Sequence, residues 1–543
     1  MAAVSPVLWE ALRVSGWLPP GAESSWGGSA PAGDLLPAIR AAWRAATAPR
    51  RSGSRAQRAD EAARWLDGCL AQGARLTFGV PGVDAGAAER WLAHRLVWWP
   101  WGMPSGVRNG LVSSRLGRQL HRRPEWFAAL RSACACMDGR REVLLTAPGT
   151  AAAPFVERAS RLFHLPCLSL APPRDGESLT QWLGRHRRRA PSPPPENCCA
   201  AFLSPPLHPP GAPPESPSTL ANTPLRDRSV VAASDQLWVL HARPGGYLAQ
   251  LVEARLSDPR WAPASVRLAL GPGLVPSSLA GSWLALGAVA WSSGMVAPRP
   301  PSSLRGAHAS GEPPSPAAPG PWPEGAAADW PAVSLPVPGP IISVPTSDNW
   351  DFLTHWTRRQ WGPWPGESEE EYRDQLILGV ADADRSAAAA LRRIVLQGVI
   401  RATARTIRGG VAVVSFTAVP LAEVSRRRVF RPHRGRWDFE PYGICIRRAW
   451  LEQRGARAVR YGEDADWAQL PPGERPFFQR RASGPRRGMP IDWAEEREWR
   501  HPGDVHLREL PPSEGLLFVP SHEEAQHLAP VSRWPVVVLD VSR

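Results

Sequence analysis

In the first half of this 543-residue chain, one local order recurs three times: apolar strand, small-residue turn, helix. This alternation constrains the fold more than any other feature. The first copy is Arg75–Val80, the turn Pro81–Asp84, and a helix with Ala88, Trp91, Leu92 and Leu96 at helical spacing. The second is Glu142–Thr146, the turn Ala147–Thr150 and a helix through Phe155, Val156, Ala159 and Phe163, followed by a strand at Pro166–Leu170. The third is Gln236–His241, the turn Arg243–Gly246 and a helix Tyr247–Arg255, followed by a strand at Ser265–Leu270. Alternating β and α segments of this length predict a parallel, doubly wound, Rossmann-like α/β domain, with the three turns at one edge of its sheet.

Proline divides the chain. Residues 191–217 hold 11 prolines in 27 positions, and residues 298–345 hold 14 in 48. Proline lacks a donor and fixes its φ, so neither stretch can be helix or central strand. The first reads as an insert, at about 190–228, in an N-terminal domain spanning 1–297. The second reads as a linker, 298–346. The remaining 347–543 form a separate domain with a different texture.

That region predicts helices at Glu369–Leu378, Ser386–Gln397, Arg448–Gln453 and Glu523–Leu528. Strands are predicted at Val411–Thr417, Tyr442–Ile446, Ala458–Tyr461, Trp493–Trp499, Leu516–Val519 and Val536–Leu539. Strands outnumber helices and adjoin in sequence, which predicts an α+β domain.

Charge narrows the chemistry. The formal net charge is +14, and the chain contains no lysine, so all of its basic charge is arginine. A phosphate-binding loop of the Walker type needs a lysine and is excluded. The apolar stretch Leu279–Trp291 is too short and too interrupted for a membrane span and reads as a buried strand. The N-terminus lacks the basic start and apolar run of a signal peptide. The seven cysteines show neither zinc-ligand spacing nor a disulfide framework. A cytoplasmic protein without a metal is expected; its oligomeric state is left open.

Turns between a strand end and a helix start present free N–H groups to an anion. The best such turn holds Arg243, Gly245 and Gly246; Gly149 with Thr150, and Gly82, are the neighbouring candidates. The same glycines also serve simply to close tight turns. The layout resembles nucleotide-sensing Rossmann-type domains of the SLOG kind, found in bacterial conflict systems, and that resemblance implies a nucleotide or phosphate ligand.

Three C-terminal motifs carry possible chemistry: Phe352–Arg358 with His355, Val414–Leu421 with Ser415 and Thr417, and Ile491–Arg500 with Glu496 and Glu498. Residues two apart on a strand share a face, which places the two carboxylates side by side. Together with Tyr442–Ile444, these motifs resemble abortive-infection (AbiGi-like) proteins and a divergent ADP-ribosyltransferase fold, over roughly 350–540. The resemblance implies NAD as substrate, Glu498 as catalytic acid residue beside Glu496, and His355 on the ribose. It further implies Ser415, Thr417, Tyr442 and Arg358 around the cofactor, and a protein or nucleic acid as the target of transfer.

Other readings of the same residues stand beside this one. His355 fits a hydrogen-bonded structural histidine, Ser415 and Thr417 ordinary strand hydroxyls, and Glu498 with Arg500 an ion-pair ladder. These make the protein a non-catalytic binding scaffold. The arginine run Arg426–Arg436 adds a nucleic-acid-binding reading.

Overall fold

One interior strand of the N-terminal sheet is built from residues uncommon in strands. Strand β3, Val107–Ser113, contains Arg108, Asn109 and Gly110, yet six of its seven residues are buried. The Asn109 side chain donates to Glu142 Oε1 at 3.2 Å and accepts from the Trp238 indole at 3.0 Å, so its burial leaves no polar group unpaired. Gly110 is required by packing: a Cβ there would lie 2.0 Å from Ser234 Oγ and 3.2 Å from Val230 Cγ1.

This computed structural model describes residues 6–20, 22, 34–46, 54–83, 90–117, 120–188, 197–207, 220, 222–292, 339–345, 350–404, 407–424, 430–431, 436–437, 439–481 and 497–539. The chain divides into two compact units, Met1–Gly311 with Glu370–Val380, and Glu312–Glu369 with Ala381–Arg543.

In the first unit three helices, α1 (Pro6–Val14), α2 (Leu36–Ala46) and α3 (Ser54–Ala71), precede the sheet. Its remaining strands are β1 (Arg75–Phe78), β2 (Leu96–Trp99), β4 (Glu142–Thr146), β5 (Cys167–Ala171), β6 (Cys198–Leu203), β7 (Gln236–His241), β8 (Val266–Ala269) and β9 (Val289–Trp291). They make one nine-stranded sheet in the order β1-β2-β6-β5-β4-β3-β7-β8-β9. From β6 to β9 every neighbouring pair is parallel, and only the pairings of β2 are antiparallel. The chain therefore winds outward from β3 in one direction, returns, and winds outward from β7 in the other. That order is doubly wound, with its topological switch point between β3 and β7.

Helices α4 (Pro124–Ala135), α5 (Ala153–Leu162) and α6 (Leu179–Arg188) follow β3, β4 and β5, while α7 (Leu225–Ala233), α8 (Tyr247–Leu256) and α9 (Ser277–Ala285) accompany β7 to β9. The last three pack their apolar faces with Val143, Leu145, Val239 and Leu268 in one core. The opposite core joins α1 to α3 and α6 around Trp17, Trp43, Trp98 and Trp182. Arg255 of α8 is fully buried, and its two terminal nitrogens each reach the Ser234 carbonyl at 3.0 Å just past the end of α7. Burial lowers its pKa to about 10.

Several expectations are corrected here. Leu96 opens β2 instead of continuing a helix, because Leu96 and Trp98 face one core and Val97 and Trp99 the other. The stretch Leu279–Trp291 is α9 followed by β9, not one strand. Within the proline-rich insert, Cys198–Leu203 is sheet strand β6. No described helix is long and apolar enough to cross a membrane.

The second unit is built on an eight-stranded sheet ordered β10-β23-β22-β16-β11-β13-β20-β17. These strands are β10 (Ile341–Ile342), β11 (Phe352–Trp356), β13 (Val413–Thr417), β16 (Gly443–Arg447), β17 (Arg457–Ala458), β20 (Glu498–Pro502), β22 (Gly515–Val519) and β23 (Val536–Val538); outside it β12 (Val399–Ile400) pairs with β21 (Val505–His506), β14 (Phe430–Arg431) with β15 (Arg436–Trp437) and β18 (Arg460–Gly462) with β19 (Phe478–Arg480). Only the pairings of β23 are parallel, so the sheet is mixed. One face packs Leu353, Val414, Phe416, Ile444, Leu517 and Val536; the other packs Trp356, Cys445, Phe518 and Val537. Helix α10 (Glu369–Leu378) falls mostly within the first unit, where Arg158 of α5 pairs with Glu370 and Asp374. Helix α11 (Ala387–Gln397) starts where its sequence says it should, with the Ser386 hydroxyl accepting from Ala389 N. It stops at Gly398, whose φ of +64° is left-handed.

Candidate functional site

The C-terminal motifs meet on neighbouring strands but not on one face. Thr354 pairs with Thr417, Thr417 with Glu498 and Ser415 with Arg500, so these side chains share a face of the sheet. His355 is one residue on from Thr354 and opposite Ile444, which puts it on the other face, against Phe416. Its Nδ1 lies 3.0 Å from the Ser415 carbonyl oxygen, and burial pushes its pKa down to about 4.

Glu498 is fully occupied. Ser415 Oγ donates to its Oε1 at 2.9 Å, and Arg500 reaches both carboxylate oxygens, at 2.9 and 3.2 Å. Arg500 is itself buried and also donates to the carbonyls of Pro476 and Phe478 at 3.0 and 2.9 Å. This carboxylate neutralises a buried guanidinium. Tyr442 gives its hydroxyl to Glu524 at 2.6 Å, and burial raises its pKa. Arg358 is exposed. Glu496 and most of the arginine run lie outside the described residues. Residues on opposite faces, with the carboxylate already paired, do not fit one NAD pocket.

The N-terminal candidates divide as well. Gly82 sits against Arg108, whose guanidinium donates to the Pro81 carbonyl at 2.8 Å and to Asp235 at 2.8 Å. Arg108 begins β3 and Asp235 precedes β7, so this turn lies at the amino edge of the parallel strands. It does not join the other two, and Arg90 beyond it pairs with Asp258 just past the C-terminal end of α8.

Gly149, Thr150, Arg243, Gly245 and Gly246 all lie at the carboxyl edge, on loops that follow β4 and β7. The switch point opens there. The β3–β7 ladder slips register between Val112 and Ser113, beyond which Ser114 N donates to the His241 carbonyl at 2.8 Å. Ser114 Oγ accepts from Arg243 N at 3.1 Å, and Arg243 Nη2 donates to the Arg115 carbonyl at 2.7 Å, tying the two loops together. Gly149 and Gly245 have φ of +82° and +69°, which only glycine adopts without strain. The Thr150 hydroxyl donates to the Ala147 carbonyl at 2.9 Å and closes the β4 turn.

Crossover helices run antiparallel to the strands, so their N-termini gather at this same edge. The residues preceding α4, α5, α7, α8 and α9 are Arg123, Ala152, Pro224, Gly246 and Pro276, and none supplies a side-chain cap. Each such end carries roughly half a positive charge on free N–H groups.

Arginines missed in the sequence join them. The Arg226 side chain stands over Gly149, within 3.4 Å of where a Cβ would be, and its Nε is buried without a partner; Asp227 comes no closer than 3.9 Å. Burial raises the pKa of Asp227, against the opposing pull of Arg226. Arg123 reaches the loop after β8, 3.5 Å from a Cβ at Gly273, and Arg115 is exposed. The Thr146 hydroxyl, at the end of β4, is fully buried and unpartnered. Arg226 was hidden by the proline-rich stretch before it. Its only sequence signal was an arginine two residues after a proline that starts a helix.

Two solved structures are similar to this chain. One is DNA processing protein A (DprA) from Streptococcus pneumoniae, at 14% identity and a TM-score of 0.23, covering 47% of this chain and 83% of that one. The other is the same-named protein from Helicobacter pylori, described for its single-stranded DNA binding mode, at 13% identity and a TM-score of 0.19, covering 40% and 81%. The doubly wound assignment stands on the strand order. No family model matches the chain, and no curated protein does.

Proposed function

We propose that the N-terminal unit binds the phosphate groups of a nucleotide or nucleic-acid strand at the carboxyl edge of its sheet. The observation that carries this reading is the convergence of Arg226, Arg243, the turns at Gly149 and Gly245, and five uncapped helix N-termini on the switch point between β3 and β7. In open α/β sheets, ligands sit in the crevice outside the strand carboxyl ends at such a point. Guanidiniums there make charge-assisted contacts to phosphate oxygens, and backbone N–H groups complete the shell.

The test is binding of a labelled oligonucleotide and of a nucleoside triphosphate to the full chain over a range of salt. Affinity should fall linearly on a log–log plot against salt. Replacing Arg226 and Arg243 together by alanine should weaken binding at least tenfold. Absence of binding at low salt, or unchanged affinity in the double variant, overturns the reading.

A further inference from the structure

Almost every aromatic ring in the described residues is at least partly covered. The chain has 27 Trp, 12 Phe and 4 Tyr, and among the rings whose burial is described only Phe78 and Tyr247 stand exposed, at 39% and 56%. Phe78 ends the sheet's edge strand β1. Tyr247 is the first residue of α8, directly after the Gly245–Gly246 turn and four places beyond Arg243. A bare ring in water has lost the burial that stabilises the rest, and this one stands beside the cationic edge.

Resting on the phosphate reading above, we infer that Tyr247 is the platform on which a base of a single-stranded nucleic acid stacks while its backbone lies along the arginines. The track favours a strand over a mononucleotide. Arg226 stands over the loop after β4 and Arg123 reaches the loop after β8. Between them lie β3 and β7, so the cations span three strand spacings, roughly 14 Å. That exceeds the reach of one diphosphate. A duplex keeps its base faces stacked inside, whereas a single strand can turn one outward onto a ring.

The experiment compares the full chain with Tyr247→Ala and Tyr247→Phe on three probes: a short labelled oligothymidylate, the same strand with abasic sites, and its duplex with oligoadenylate. Tyr247→Ala should weaken the oligothymidylate about tenfold, leave the abasic strand unchanged, and be rescued by Tyr247→Phe. The duplex should bind the wild-type chain more weakly than the single strand. Equal binding of oligothymidylate by wild type and Tyr247→Ala, or duplex binding as tight as the single strand, overturns the inference. If Arg226 and Arg243 still matter in that case, the phosphate reading survives it. If the wild-type chain binds none of the three probes, the inference falls, and the phosphate reading falls with it only where a nucleoside triphosphate does not bind either.

Discussion

Arg500 grips the carboxylate of Glu498, two places before it on the same strand, with two nitrogens at 2.9 and 3.2 Å. Arg500 is 2% exposed, so its charge has no water to fall back on. The same guanidinium ties β20 to the carbonyls of Pro476 and Phe478. The pair thus joins the sheet to the segment before β19 (Phe478–Arg480).

Glu498→Gln should therefore act on stability. Removing one partner of a buried pair leaves an uncompensated charge and costs about 3 kcal/mol. Thermal unfolding should show the transition of the C-terminal unit lowered while that of the N-terminal unit stays in place. Ser415→Ala removes a single hydrogen bond to the same carboxylate and should cost about 1–2 kcal/mol.

His355 gives a pH signature. Its folded pKa, about 4, lies below the ordinary value of 6.5 because burial disfavours the imidazolium. Between those values the unfolded chain holds a proton that the folded chain lacks. Stability from this group is therefore full above pH 6.5 and declines as pH falls toward 4, by up to about 3 kcal/mol. Urea unfolding of wild type and His355→Gln over this range should give a steeper loss for the wild type. Parallel curves would mean that the ring is hydrated in the folded state.

How much of this was legible in the sequence depends on what each strand buries. Val143–Leu145 and Leu237–Leu240 are apolar runs because parallel strands are covered on both faces, and such runs are easily read. β3 is buried just as deeply but hides behind Asn109 and Gly110, whose reasons, Glu142, Trp238 and Ser234, come from elsewhere in the chain. The C-terminal motifs were found on their strands. That His355 and Ser415 face opposite ways follows from the register Thr354–Thr417, and pairing register leaves no mark in a single sequence. Arg243 was readable from its glycines; Arg226 needed the fold to carry α7 back beside the β4 loop.

Arg255→Met should destabilise the N-terminal unit by about 3 kcal/mol. The guanidinium satisfies the carbonyls of Val231 and Ser234, and methionine would fill the space but leave these acceptors buried and unpaired. The thermal transition of the N-terminal unit should drop. The oligonucleotide affinity of the remaining folded protein should not change, because Arg255 lies near the C-terminal end of α8, far along the helix from the carboxyl edge.

Gly110→Ala tests whether α7 is pressed onto β3 as closely as the geometry says. The added methyl would sit 2.0 Å from Ser234 Oγ and 3.1 Å from its Cβ, so the Ser234 side chain is crowded out of its place. Overpacking of this kind costs about 1–3 kcal/mol. Ser234→Gly in the same background removes the two nearest atoms and should restore part of the loss, even though Ser234→Gly alone destabilises by deleting the hydroxyl bond to the Val230 carbonyl. The double variant should therefore be more stable than the sum of the single changes predicts. Strict additivity in thermal or urea unfolding would mean that the clash is relieved by backbone movement instead, and that α7 carries Arg226 on a looser mount than its packing implies.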